Sequence, residues 1–157
     1  MGLGIEIEKE RPPDPGPEIY RSEFPSDLMA RVDVMTAVCD ALKSRNGFAG
    51  EDESHMFRLC FDEALVNAIK HGNRFDANKK VTVTLYHAPD VWGVRIEDQG
   101  KGFDPKTLPD PDDPNSLLLE HGRGILIMKS IMSEVHYYDR GNRLLLVKRR
   151  NESAPEK

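Results

Sequence analysis

The stretch "FDEALVNAIKHGN" runs from Phe61 to Asn73. Its spacing predicts a helix from about Asp52 to His71, stopped by Gly72. At about 100° per residue, Phe57, Phe61, Ala64, Leu65, Ala68 and Ile69 share one broad apolar arc. Asn67 and His71 fall at its margin, and Glu63 lies just beyond, with Leu59 and Val66 on its far side. Long polar groups beside a core cost free energy unless something satisfies them. Taken alone, the pattern also fits a surface helix with a polar shoulder and a local Glu63–Lys70 or Asn67–His71 contact. Other segments have to decide between these readings.

Two other stretches carry matching chemistry. In "VRIEDQGKGF", Trp92, Val94, Ile96 and Asp98 alternate, so Asp98 continues the row that faces the core. A carboxylate there needs donors, and Gly100 and Gly102 let a backbone turn closely against a ligand. In "EHGRGILIM", Gly122 and Gly124 flank Arg123 where an apolar helix begins. A glycine-rich helix start offers free N–H groups and a positive dipole end, which suits phosphate. Neither GxxxxGK[ST] nor GxGxxG is present, which argues against a P-loop kinase or a Rossmann dehydrogenase.

Working outward, "IYRSEFPS" suggests an edge strand, and "SDLMARVDVMTAVCDALKSRNG" a helix capped by Ser26 and ended at Gly47. "KVTVTLYHA" and "VWGVRIED" read as a hairpin around Pro89-Asp90, and "VHYYDRGNRLLLVKRR" as two strands around Asp139–Asn142. "GRGILIMKSIMSEV" is a third helix. "KGFDPKTLPDPDDPNS", with four prolines, is a long loop whose length suggests a lid. Helices with a mostly antiparallel sheet imply a two-layer α/β sandwich with the helices on one face. Residues 1–18, including "RPPDPGPE", are expected to be extended and mobile, residues 19–150 to form one domain, and 151–157 to be a loose tail.

The 157 residues are enough for one domain with a proper core. Their 22 basic and 27 acidic side chains are interspersed and sum to −5, which argues against a nucleic-acid protein with a basic face. Cys39 and Cys60 read as reduced core thiols, and the five histidines show no metal-ligand spacing. No apolar run approaches a membrane span, and "MGLGIEIEKE" lacks the pattern of a signal peptide, so a cytoplasmic protein is expected.

ExxxN on a helix, DxGxG ending a strand and GxG opening the next helix, in that order, resemble the GHKL family of ATPases. More narrowly, "DEALVNAIKHG", "EDQGKGF" and "HGRGILIM" are similar to its small anti-sigma-factor serine kinases, over about Ile19 to Lys148. The resemblance implies the Bergerat ATP-binding fold, ATP and Mg²⁺ as cofactors, and phosphate transfer to a protein hydroxyl. Asn67 would offer its amide oxygen to Mg²⁺, a cation that prefers oxygen ligands. Glu63 would be the general base. Asp98 would accept from the adenine amino group, with Gly100 and Gly102 against the base and Gly122, Arg123 and Gly124 on the phosphates. For His71 two readings stand open, approach to phosphate or a cap on the helix end. Where the family commonly has Gly-Thr before the last strand, this chain has Gly141-Asn142.

The implied partners are a sigma factor and a STAS-type antagonist protein, with a homodimer as a further expectation. A nucleotide-regulated binding module without phosphate transfer would share nearly every one of these residues. The catalytic domain of a histidine kinase shares the boxes too, but nothing before Ile19 reads as phosphoacceptor helices.

Overall fold

Alternation in strand β3 (Lys80–Ala88) sends Val81, Val83 and Leu85 to one face. Trp92, Val94 and Ile96 of β4 (Val91–Glu97) and Leu144 and Leu146 of β6 (Arg143–Arg149) continue that face into one buried cluster. The register is antiparallel, with Leu85 opposite Val94 and Val94 opposite Leu146. β2 (Glu18–Pro25) closes one edge along β3, and β5 (Glu134–Tyr138) extends the sheet beyond β6. A short β1 (Ile7–Glu8) runs parallel to β5, giving the order β1-β5-β6-β4-β3-β2. This computed structural model describes residues 6–102 and 119–150, without the side chains of 119–123. All but the first two residues of the lid loop expected over 101–116, and the tail 151–157, lie outside the described residues.

Helices α1 (Ala30–Ser44), α2 (Glu51–Val66) and α3 (Leu119–Ile131) place their apolar stripes on that face, as a two-layer α/β sandwich requires. Val38, Leu42, Phe61, Leu65, Ile125 and Met128 are wholly buried there. Each such side chain contributes roughly 1.5–3 kcal/mol of burial free energy. Met35 packs inward, while Val32 is 45% exposed. Both cysteines are free and buried, and burial pushes the Cys60 thiol up to about 12. No helix among the described residues is long and apolar enough to cross a membrane.

Three local expectations are corrected. Ser26 does not cap α1: its hydroxyl donates to the Lys79 carbonyl at 2.7 Å, and Asp27 instead accepts the Met29 N–H at 2.9 Å. The second helix does not stay α-helical to His71. It passes into a π-helical turn over Asn67–Gly72, closed by the Asn73 N–H on the Ala68 carbonyl at 2.8 Å. Such turns widen the backbone and recur at functional sites. The third helix opens at Leu119, so Gly122 and Gly124 lie inside it and not before it.

The N-terminal segment also departs from expectation. Ile7–Glu8 join the sheet as β1, and the residues after them form a strap over the sheet face opposite the helices, with Pro12 and Pro15 buried. Its anchor is Arg95, 1% exposed, which donates to the Pro12 carbonyl (2.5 Å), Asp14 (2.8 Å), and the hydroxyls of Tyr86 (3.0 Å) and Tyr138 (2.7 Å). The guanidinium also lies 5.5 and 5.4 Å from the centres of those two rings. At the sheet edge, His136 sits between Glu8 (2.6 Å) and Glu134 (2.8 Å). Burial works against its proton, but the two carboxylates outweigh burial and raise its pKa. Asp14→Ala is expected to lower stability by about 1–3 kcal/mol, the cost of removing a charged partner from a buried cation. The lower end applies, because Asp14 is itself 45% exposed and Arg95 keeps three other acceptors. A urea midpoint identical to wild type would show that this pair does not hold the strap.

Candidate functional site

Three segments converge on one cleft. The end of α2 and its π-turn supply Ala64, Asn67, Ala68, His71 and Gly72. The end of β4 and the bend after it supply Ile96, Asp98 and Gly102, and the β5–β6 hairpin supplies Tyr137, Gly141, Asn142 and Leu144. An apolar lining with a few convergent polar groups is what small-molecule sites commonly show. Of the expected meeting of the 63/67 pair with the 98–102 bend, Asn67, Asp98 and Gly102 share this cleft.

Asp98 sits one residue past β4, half-buried, with one carboxylate oxygen accepting the Gly100 N–H at 2.8 Å. Burial pushes its pKa up to about 6, against the pull of that N–H and of the Arg140 and Lys79 charges. The carboxylate lies directly against the π-turn, since a Cβ built at Gly72 would come 2.3 Å from Asp98 Oδ2. Any other residue at 72 would have to displace the Asp98 carboxylate. Gly100 faces the same junction and not the cleft: a Cβ there would come 2.0 Å from the Gly72 carbonyl oxygen. Gly102 lines the cleft at φ +85°, close above Arg140.

Glu63 and Asn67 meet α3 at its second turn. A Cβ at Gly124 would lie 2.7 Å from Glu63 Oε1 and 3.5 Å from Asn67 Nδ2. Glu63 is not among the residues that line the cleft; it stands one helical turn before Asn67, half-buried beside that glycine. The Asn67 Nδ2 is buried without a hydrogen-bond partner among the described residues. Buried polar atoms are normally paired, so this end of the cleft is suited to a ligand's polar groups. A carboxamide turned by 180° presents its oxygen at the same place. Gly122 and Arg123 belong to α3, and beyond that they lie outside the described residues.

Sequence reasoning passed over some of the lining. Gly72 reads in the sequence only as a helix stop, and its contact with the Asp98–Gly100 bend is a tertiary one. Tyr137, buried and donating to Met128 Sδ at 3.8 Å, looks like any core-facing strand residue. Asn142, which stands where the resembling family has threonine, is 4% exposed and hydrogen-bonds Asp98 twice. Its side-chain amide donates to the Asp98 carbonyl (2.9 Å), and its own carbonyl accepts the Asp98 N–H (2.9 Å).

The profile of the histidine kinase-like ATPase domain matches residues 24–148. The chain belongs to that family. Membership agrees with the GHKL resemblance of the three boxes and implies ATP binding by this domain. Among curated relatives, the chain is 27% identical to the serine-protein kinase RsbW of Listeria innocua over 122 residues, covering 73% of this chain and 77% of that protein. The RsbW of Listeria monocytogenes matches to the same extent. The sensor protein VraS of Staphylococcus aureus is 43% identical over 51 residues, which is 32% of this chain but 13% of the sensor.

Proposed function

We propose that this domain is an ATP-dependent serine/threonine protein kinase of anti-sigma-factor type. It transfers the γ-phosphate of ATP to a serine or threonine of a STAS-type antagonist and sequesters a sigma factor. The observation that carries the reading is the shared cleft of Asn67 and Asp98, with Glu63 one turn from Asn67 and against α3. The similarity to serine-protein kinases over most of the chain supports the choice of a protein hydroxyl as acceptor. A sigma factor as partner would place the protein in the cytoplasm.

In this reading the adenine lies at the Asp98 end, where the carboxylate accepts from the exocyclic amino group. Gly102 leaves the backbone near the base free of side-chain bulk. Asn67, whose buried Nδ2 has no hydrogen-bond partner among the described residues and whose amide, turned over, presents its oxygen there, would hold Mg²⁺, which when bound neutralises phosphate charge. His71 lines the same cleft and would reach the phosphates, as would Gly122, Arg123 and Gly124. Glu63 takes the proton of the attacking hydroxyl while that oxygen forms its bond to the γ-phosphorus. The bond from the γ-phosphorus to the β-γ bridging oxygen breaks, and ADP leaves.

The test is incubation with γ-labelled ATP, magnesium and a purified STAS-type antagonist. Labelled antagonist is expected. Nucleotide retained with no phosphoprotein would favour the ATP-regulated binding module instead. A second check uses Gly124→Ala, whose methyl must displace the Glu63 carboxylate at 2.7 Å, the movable end of a side chain. Transfer is expected to fall about tenfold or more, since small displacements of a base are costly, and by a larger factor than ATP affinity does. Equal loss of both would indicate a general disturbance of the cleft.

A further inference from the structure

Asp98 and Gln99 are joined by a trans peptide, so its C=O and N–H point in opposite directions. Each end is held by an asparagine side chain. The Asp98 carbonyl accepts the amide of Asn142 at 2.9 Å, and the Gln99 N–H donates to Asn73 Oδ1 at 2.8 Å. Asn73 is 1% exposed and uses the rest of its amide as well, donating to Ser26 Oγ (2.9 Å) and the Lys80 carbonyl (3.0 Å). Its backbone N–H closes the π-turn that carries Asn67 and His71. One buried side chain thus links the turn at one wall of the cleft to the bend at the other.

We propose that Asn73 is a positioning residue for nucleotide choice, acting through Asp98 with Asn142 as its counterpart. The peptide plane that follows Asp98 sets where the bend runs, and so where Gly100 N–H meets the carboxylate. Fixing both ends of that plane leaves the carboxylate one orientation, as recognition of a planar base edge demands. Loss of either asparagine frees the plane to rotate, and the acceptor no longer faces one direction. A buried hydrogen-bonding set is specific only when all its members are satisfied. The proposal rests on the reading of Asp98 as the adenine acceptor.

Asn73→Ser and Asn142→Ala are each compared with Ser26→Ala, which disturbs the same buried set but leaves the Gln99 N–H bond to Asn73 intact. Binding of ATP and GTP is measured for all, and amide hydrogen exchange at Gln99 is followed in the nucleotide-free protein. Asn73→Ser is expected to reduce the ATP-over-GTP preference about tenfold and to speed exchange at Gln99. Ser26→Ala should alter stability without changing the preference. An unchanged preference in folded Asn73→Ser, or an equal loss in Ser26→Ala, would overturn the proposal. If Asn73→Ser does not fold, Asn142→Ala decides, and a wild-type preference there overturns it equally. If wild type itself binds both nucleotides alike, the adenine reading fails. Gln99 exchange then judges the peptide clasp by itself, and unaltered exchange in the variants sinks it.

Discussion

Exchanging Glu63 for Gln is expected to lower phosphate transfer about 10²- to 10⁴-fold, the usual contribution of a general base, with ATP binding nearly intact. Gln keeps the length and shape of the side chain, so its packing beside Gly124 is preserved. What it loses is the capacity to take a proton. The base acts only as the hydroxyl attacks, so the loss belongs in kcat, with little change in nucleotide affinity. The Gly124→Ala variant gives an independent check on the same group. If its methyl acts by moving the Glu63 carboxylate, adding it to Glu63→Gln should cost almost nothing further in transfer, because two changes at one contact are not additive. Multiplied losses would mean that Gly124 serves transfer by another route. Transfer at the wild-type rate in Glu63→Gln removes Glu63 from the mechanism.

The residues proposed to carry this chemistry stand out in the sequence because each interrupts a periodic pattern. Glu63 and Asn67 break the margin of a helical stripe, and Asp98 ends a core-facing row of alternate residues on β4. The same alternation made the sheet legible, since Val81, Val83 and Leu85 can only be buried together if the segment is a strand. What escaped depends on partners far along the chain. Arg95 sits in a row that reads as solvent-facing. It is buried only because Pro12 and Asp14, about eighty residues earlier, fold over it. Prolines among charges look mobile by composition, yet these prolines pack. Ser26 has the chemistry of a helix cap, and a tertiary acceptor, the Lys79 carbonyl, competes for it successfully. Gly72 and Asn73 carry no local signal for their contacts with the Asp98–Gly100 bend, because nothing in helix periodicity says which loop will lie against a helix end.

Asp98→Asn is expected to erase most of the preference for ATP over GTP. An ionised carboxylate accepts from the amino group of adenine and meets the carbonyl of guanine acceptor to acceptor. A carboxamide can turn to donate, which removes the penalty against guanine. Hydrogen bonds to charged groups contribute roughly 1.5–3 kcal/mol, so the preference should change about 10- to 100-fold. The raised pKa adds a second signature. Burial lifts this carboxyl from its ordinary 3.8 to about 6. Wild-type ATP affinity should therefore fall as pH drops through about 6, whereas Asp98→Asn should lack that component. Dividing one profile by the other cancels titration of the nucleotide's own phosphates. Stability moves in the opposite sense. A pKa raised on folding means that the folded state favours the proton, so this contribution to stability is full below about 4 and is lost as pH rises through about 6. Acid should thus relatively favour the nucleotide-free fold while weakening its grip on ATP, a divergence that general acid unfolding cannot produce. Bound ATP, which needs the ionised form, should in turn pull the Asp98 pKa down, as NMR of the carboxyl carbon would register. Equal affinity for the two nucleotides in wild type, or an affinity ratio to Asp98→Asn that stays flat from pH 5 to 7, would mean that Asp98 does not read the base.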